Sequence, residues 1–279
     1  MTDSTYNMDY KLKTIEDYNK LAPVKSSHRV AYGNHPEQFA DLYLPKKNNL
    51  HPIVILIHGG CWRAQFGLTQ LGQLSKSLTE LGFAVWNLEF RRLGNGGGWP
   101  ASFEDIARGA DHLVTIADKY SLDLSNITAM GHSAGGHLAL WLAGRHHLPL
   151  RSKLFSKQPL KFRRVISLAG IPDLVEGVQQ NICRGACEEL VGGLPNKIPE
   201  LYRQSSPHFL LPFNIPQYHL VGVRDPIVPV EYLKPYIAHA KQHDKVHFEV
   251  IPHIGHFEMV MPDTISWQYI KNALLEEPE

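Results

Sequence analysis

Gly131-His132-Ser133-Ala134-Gly135-Gly136-His137 is the stretch on which the fold turns. The apolar run Ile127 to Met130 leads into it, and Ala134 to Leu142 leaves it as an apolar, helix-forming segment. The order is strand, sharp turn, helix, with a serine at the apex and a glycine two residues away on either side. This is G-x-S-x-G, the pattern of a nucleophile elbow. Such a turn forces the serine into a strained backbone conformation, and a Cβ at either flanking position would collide with the adjoining strand or helix; glycine removes the collision. The strain holds Oγ clear of the backbone and at the N-terminus of the following helix, where partial positive charge favours a developing anion. The pentapeptide alone also fits a glycine-rich connection without chemistry. The rest of the chain has to decide between them.

Upstream, Ile53-Val54-Ile55-Leu56-Ile57 is a continuous apolar run, as expected of a strand covered on both faces. It ends in His58-Gly59-Gly60-Cys61-Trp62. Before it, Val30 to Leu44 alternates like an antiparallel strand or hairpin, Lys46 to Leu50 is a polar turn, and residues 1–25 form an N-terminal arm with a helix around Tyr10 to Tyr18. After it, Gln65 to Leu81 is expected to be helical, closed by Gly82, and Ala84 to Phe90 is the next strand. Arg91 to Pro100 is a loop whose glycines Gly94 to Gly98 confer mobility beside the cleft. Ser102 is expected to cap a helix with Asp105 three residues on. Phe103, Ile106, Ala107, Ala110, Val114 and Ala117 give that helix one apolar face.

Downstream of the elbow helix, Arg145 to Lys161 is a polar connection and Arg164 to Leu168 a strand. Residues 174–206 read as a small helical cap or insertion. Tyr218 to Val223 is a strand, Val230 to His243 a helix, Val246 to Ile251 the last strand, and residues 263–275 a closing helix. Strands alternating with helices at this spacing imply an α/β fold, a mostly parallel sheet with helices on both faces. Its functional groups gather at the carboxyl ends of the strands. No repeat or linker divides the chain, so residues 1–279 are expected to form one domain.

Three further features lie just past strand ends: Asp225 in Val223-Arg-Asp225-Pro226, His256 in His253-Ile-Gly-His256-Phe257, and the His58-Gly59-Gly60 turn. A serine nucleophile needs a base to take its proton and a carboxylate to orient and charge-stabilise the imidazole. The order Ser133, Asp225, His256 suits that arrangement. Acyl transfer also needs donors for the oxyanion, which the backbone N–H groups of Gly59, Gly60 and Ala134 can supply. Singly, each feature has a plainer account: Asp225-Pro is an ordinary turn, His256 a surface histidine with His253 as its rival. Together, in order and at strand ends, they point to an active serine hydrolase.

With those residues in hand, the chain resembles the α/β-hydrolase superfamily. Within it the chain is similar to the hormone-sensitive-lipase-like esterases and to the kynurenine formamidases (arylformamidases). The resemblance is carried by Asp41-Leu-Tyr-Leu-Pro45, His58-Gly-Gly-x-Trp62, Gly131-His-Ser-Ala-Gly135 with Gly136-His137-Leu138, and Leu168-Ala-Gly-Ile-Pro-Asp-Leu174. It implies Ser133 as nucleophile, Asp225 and His256 as its partners, and Gly59 and Gly60 in the oxyanion hole. Cys61 departs from the third glycine of many lipase-like esterases and favours the formamidase-like branch. The expected reaction is cleavage of a small aryl formamide or carboxylic ester. The alternatives are a general short-chain carboxylesterase and a non-catalytic ligand-binding protein on a hydrolase scaffold. Cys61, Trp62, Trp99 and Phe257 are candidates for the substrate pocket.

Composition bounds the partners. The chain is 43% hydrophobic and 20% charged with a formal net charge of +1, which favours neither nucleic acid nor an anionic membrane as partner. A small-molecule substrate is the expected partner, with a homodimer as the assembly considered. No apolar run approaches the roughly 18 residues of a membrane span, and the N-terminus lacks a secretory-signal pattern, so the cytoplasm is the expected compartment. Three cysteines are too few for a disulfide framework and leave at least one free thiol. Cys183 and Cys187 lie one helical turn apart, and no cluster of soft ligands suggests a metal. No cofactor is expected.

Overall fold

The computed structural model describes residues 10–47 and 49–276. The expected arm over residues 1–9, and Asn48 of the expected polar turn, lie outside these residues. Eight strands form one sheet in the order β1-β2-β4-β3-β5-β6-β7-β8. β1 (His28–Ala31), β2 (Phe39–Tyr43) and β4 (Ala84–Leu88) are antiparallel neighbours. β3 (His51–Ile57), β5 (Leu122–His132), β6 (Arg164–Leu168), β7 (Gln217–Gly222) and β8 (Val246–Ile251) run parallel, and β4 pairs with β3 in the same sense. This is the mostly parallel sheet expected, and with its helices it is the α/β-hydrolase fold.

The side-chain alternation of β3 builds both faces. Ile53, Ile55 and Ile57 enter one core, and Val54 and Leu56 the other. The first core is closed by α3 (Ala101–Asp111), α4 (Leu113–Tyr120), α5 (Ala134–Gly144) and α9 (Val230–Ala240). The second is closed by α2 (Gly72–Glu80), α10 (Ser266–Leu275) and Tyr18 of α1 (Ile15–Asn19). Every residue of α5 is buried, as expected for a helix that is apolar all round. Residues 174–206 hold three short helices, α6 (Leu174–Gln179), α7 (Ala186–Val191) and α8 (Pro199–Ser205), packed on one another and on the first core.

Several local expectations are corrected. Gln65 to Leu81 begins with a loop and a 3-10 turn (Leu68–Leu71), so only its second half is α-helical. The helix of the arm starts at Ile15, where a Thr14–Asp17 capping box fixes it. Ser102 is not the cap of α3. It lies inside the helix, where its Oγ accepts from Gly98 N (2.9 Å) and donates to Arg91 O (2.7 Å). Asp105, fully buried, instead receives the Arg91 guanidinium and Gln38 Nε2. Val114 is 58% exposed because the helix breaks at His112 and turns its face away. The Gly94–Gly98 loop is tied in place, with Gly97 N donating to Arg92 O (2.8 Å).

Candidate active site

β5 enters a turn whose apex, Ser133, has φ 55° and ψ −120°, a conformation L-residues seldom adopt. The flanking glycines explain how the chain closes so tightly. A Cβ on Gly131 would stand 2.1 Å from Gly135 O, and one on Gly135 would stand 2.1 Å from Ile57 O of β3. Ser133 N donates to Leu168 O (2.8 Å), fastening the apex to the end of β6. The hydroxyl thus sits at the N-terminus of α5, in line with the helix dipole.

Asp225 follows β7. Its Oδ1 accepts from Ile227 N and Val228 N, both at 2.8 Å, and its Oδ2 accepts from His256 Nδ1 at 2.7 Å. Those bonds leave Nε2 of His256 as the nitrogen available for proton transfer. His253, the rival, faces the N-terminal arm beside Tyr10 and Lys13. His256 is drawn towards the elbow by His132: His132 Nε2 donates to His256 O (3.0 Å), and the two rings are 4.5 Å apart. Burial, reinforced by the neighbouring His256, holds the His132 pKa well below its ordinary value, so this tether is a neutral imidazole. Among the described residues no hydrogen bond joins Ser133 Oγ to His256, a looseness common in ligand-free sites.

The His58–Trp62 turn lies beside this apex. A Cβ on Gly59 would meet Ser133 Cβ and His132 O at 3.0 Å. The N–H groups of Gly59 and Gly60 find no acceptor among the described residues, and Ala134 N–H is one of the unpaired donors at the start of α5. The turn is fixed from beneath by a buried ion pair. His58 Nε2 donates to Glu89 Oε1 (2.8 Å), and Arg92 Nη1 reaches the same oxygen (2.8 Å). Burial alone would raise the Glu89 pKa, but His58 and Arg92 outweigh it and hold the carboxyl below its ordinary value. Sequence reasoning passed over Glu89, His132 as a tether, and Glu258. The last is fully buried and accepts from Gly255 N (3.2 Å) and Lys13 N (2.7 Å), joining the histidine loop to the arm.

The four pocket candidates separate. Cys61 is not a free pocket residue: it is disulfide-bonded to Cys183, 122 residues away in sequence. That pairing also replaces any meeting of Cys183 with Cys187, which is the buried free thiol. Trp62 is fully buried in the first core, against the edge of His137, so it lines no opening. Trp99 is half-buried and packs on Phe103 (5.2 Å). Phe257 sits by the other core, between Tyr18 (5.4 Å) and the edge of His256 (5.5 Å). His137 Nε2 donates to Ser205 O (2.8 Å), and burial pushes its pKa down to about 4, which makes it a packing residue beneath the elbow. Among the described residues, no cluster of three or more His, Cys, Asp or Glu is placed to hold a metal ion. None of their helices is long and apolar enough to cross a membrane.

Comparison with known proteins finds relatives named as esterases and formamidases. The chain is 25% identical over 253 residues to esterase LipC of Mycobacterium tuberculosis, covering 82% of this chain and 59% of LipC. It is 31% identical over 112 residues to the isoprenylcysteine alpha-carbonyl methylesterase ICME of Arabidopsis thaliana, 39% of this chain and 26% of that protein. It is 24% identical over 201 residues to the kynurenine formamidase of Danio rerio, 64% of this chain and 66% of that one. The chain thus spans about three fifths of LipC and about a quarter of the methylesterase. Among solved structures, esterase B from Lactobacillus Rhamnosis (HN001) superposes with a TM-score of 0.78 at 20% identity, covering 93% of this chain and 88% of that one. A truncated carbohydrate esterase from gut microbiota gives 0.73 at 20% identity, covering 91% and 97%. Residues 40–234, well over half of the chain, match the BD-FAE family model, and the chain belongs to that family.

Proposed function

We propose that the protein is a carboxylesterase-type hydrolase that removes a small acyl group, formyl or acetyl, from an ester or an aryl formamide. The observation that carries this reading is the 2.7 Å bond between Asp225 and His256 at the foot of a serine elbow. Ser133 Oγ attacks the acyl carbonyl while His256 Nε2 takes its proton, and Asp225 stabilises the resulting imidazolium. The N–H groups of Gly59, Gly60 and Ala134 receive the carbonyl oxygen as it gains charge. His256 returns the proton to the leaving alcohol or amine, and water, activated by the same histidine, frees the acid.

The small acyl group is the reading that the enclosure of Ser133 favours: it is 2% exposed, and the His58–Trp62 turn stands against its Cβ at Gly59. The aryl formamide reading draws support from the likeness to the Danio rerio kynurenine formamidase. The test is kcat/KM for N-formylkynurenine against p-nitrophenyl acetate and butyrate, with Ser133→Ala as blank. A formamide preference supports the formamidase reading, and an acetate preference makes the protein a short-acyl esterase. Butyrate turned over best would overturn the small-acyl proposal.

A further inference from the structure

The turn that would carry the oxyanion donors is fastened to the insertion over residues 174–206 by a covalent bond, Cys61–Cys183. Cys61 directly follows Gly60. Cys61 and Trp62 both have positive φ, 51° and 54°, a conformation that persists in consecutive non-glycine residues only where the surroundings impose it. Beyond Cys61 the backbone is paired: Leu93 N donates to Trp62 O (2.8 Å) and Ala64 N to Leu93 O (2.9 Å). Gly59 and Gly60 have no such ladder: Gly59 O accepts from His58 Nδ1 (2.8 Å), and Gly60 O receives the local Arg63 N (3.0 Å). His58, bonded to Glu89 (2.8 Å), ties the Gly59 side of the donors, and the disulfide is the adjoining tie on the Gly60 side. Its far end, Cys183, is held between α6 and α7 in a run where Asn181, Cys183 and Arg184 all have positive φ.

We propose that the Cys61–Cys183 disulfide positions the oxyanion turn, so that the oxidised protein turns over substrate faster than the reduced one. This rests on the hydrolase reading above, and Cys61 acts as a positioning residue, not a catalytic one. Reduction needs a dithiol. One of its thiolates attacks a sulfur of the half-buried bridge and expels the other cysteine as thiolate, which takes a proton. The second thiol then closes on the mixed disulfide, leaving Cys61 and Cys183 as thiols and the dithiol oxidised by two electrons. Cys187 does not compete. Its Sγ is buried, donates to Ile182 O (3.5 Å), and has its pKa pushed up to about 12, so almost no thiolate exists at neutral pH to attack the bridge.

Deleting one oxyanion donor costs 10²–10³ in kcat. Loosening the turn without deleting a donor is expected to lower kcat about ten-fold, with KM within about two-fold. The protein is assayed on p-nitrophenyl acetate as wild type in three states (oxidised, reduced with dithiothreitol and desalted under argon, and reoxidised) and as the Cys61→Ser, Cys183→Ser and Cys187→Ala variants. Melting temperature is read alongside, because a purely structural bridge would lower that temperature and leave kcat at 25 °C unchanged. The expected result is a kcat loss on reduction that reoxidation reverses and that both serine variants show without reduction, while oxidised Cys187→Ala keeps wild-type kcat. Equal kcat in the oxidised and reduced wild type overturns the proposal, and that comparison stands even if the variants do not fold. A non-reducing peptide map without a linked Cys61–Cys183 peptide overturns it whatever the turnover. Failure of the hydrolase reading looks different: oxidised wild type would then match Ser133→Ala.

Discussion

Two strand-to-helix connections meet at the candidate site, and they are held by opposite means. The elbow after β5 is fixed chiefly by close backbone approach: Gly131 and Gly135 let the chain close on itself and on β3, and Ser133 N fastens the apex to Leu168 O. The His58–Arg63 turn after β3 is fixed by residues far away in sequence, namely Glu89, Leu93, Cys183 and Glu189. One is a local steric solution and the other a long-range assembly. The first therefore tolerates almost no change within itself, whereas the second can be loosened from outside without touching the residues at the apex.

The largest effect expected is at the apex. His256→Ala removes the proposed base, and loss of a triad member of this kind costs roughly 10⁴–10⁶ in kcat. Circular dichroism and melting should show the fold intact, because His256 lies on a loop and its removal leaves the backbone bond from His132 available. Turnover within ten-fold of wild type would remove the histidine from the mechanism, and the same loss in His253→Ala with His256→Ala spared would move the role to the rival.

Gly135→Ala tests the local half of the comparison. The new Cβ would meet Ile57 O at 2.1 Å and His58 O at 2.5 Å, backbone atoms at and just past the end of the central strand β3, which cannot swing aside like a side chain. The expected cost is above about 4 kcal/mol, in the exceptional range for a point substitution, and the variant should fail to fold at ordinary temperatures. Soluble protein with a melting temperature near wild type would show that the elbow is looser than its contacts indicate.

This difference also explains what could be read from the residues. Ile53–Ile57, the G-x-S-x-G turn and the glycine pair of His58-Gly59-Gly60 announce themselves because their physics is local: buried strands are uniformly apolar, and close backbone approach demands glycine. Asp225 and His256 stand out as candidates by order along the chain and position after a strand, although residue order alone leaves His253 as a rival. Cys61–Cys183 is hidden, since parity allows one bridge among three cysteines but nothing nearby says which two meet. Asp105 resembles a capping residue until Arg91 and Gln38 arrive from other elements to claim it. Trp62, next to a candidate oxyanion turn, invites a pocket role, and only the fold shows its ring turned down onto His137. Pairings across tens of residues carry no local signal.

Glu89→Gln probes the long-range half. Removing one partner of a buried ion pair costs roughly 3–5 kcal/mol because the other charge is left uncompensated. Here that charge is Arg92, which keeps its ion pair with Glu37 and its bond to Phe66 O, so the cost is expected below that range. The pH dependence has a definite sign. The folded-state pKa of Glu89 is depressed, so its stabilisation is complete above the unfolded value of about 4.5 and is lost as pH falls through the lower folded value. The stability gap between wild type and Glu89→Gln, measured by urea unfolding, should therefore be constant from pH 7 to 5 and close below that. A gap that is absent at neutral pH would mean the carboxylate is not ionised beneath the turn.

The smallest effect is the most discriminating between the two ties of the turn to the insertion. Arg63 Nη1 and Nη2 pair with Glu189 at 2.9 and 2.8 Å, a bidentate geometry that on paper matches the disulfide as a link. Both side chains are substantially exposed, 34% and 52%, so water and salt screen the pair. Exposed pairs of this type contribute roughly 0–1 kcal/mol. Arg63→Ala is accordingly expected to shift kcat by less than about two-fold, and wild-type kcat should barely change between low salt and 0.5 M NaCl. If Arg63→Ala instead slowed turnover as far as reduction of the bridge, the turn would be held by the summed contacts of α7, and the covalent bond would be one strand of several. A small effect leaves Cys61–Cys183 as the link that sets the donors' position. It also makes the compartment's thiol poise, not its ionic strength, the condition to which this half of the site responds.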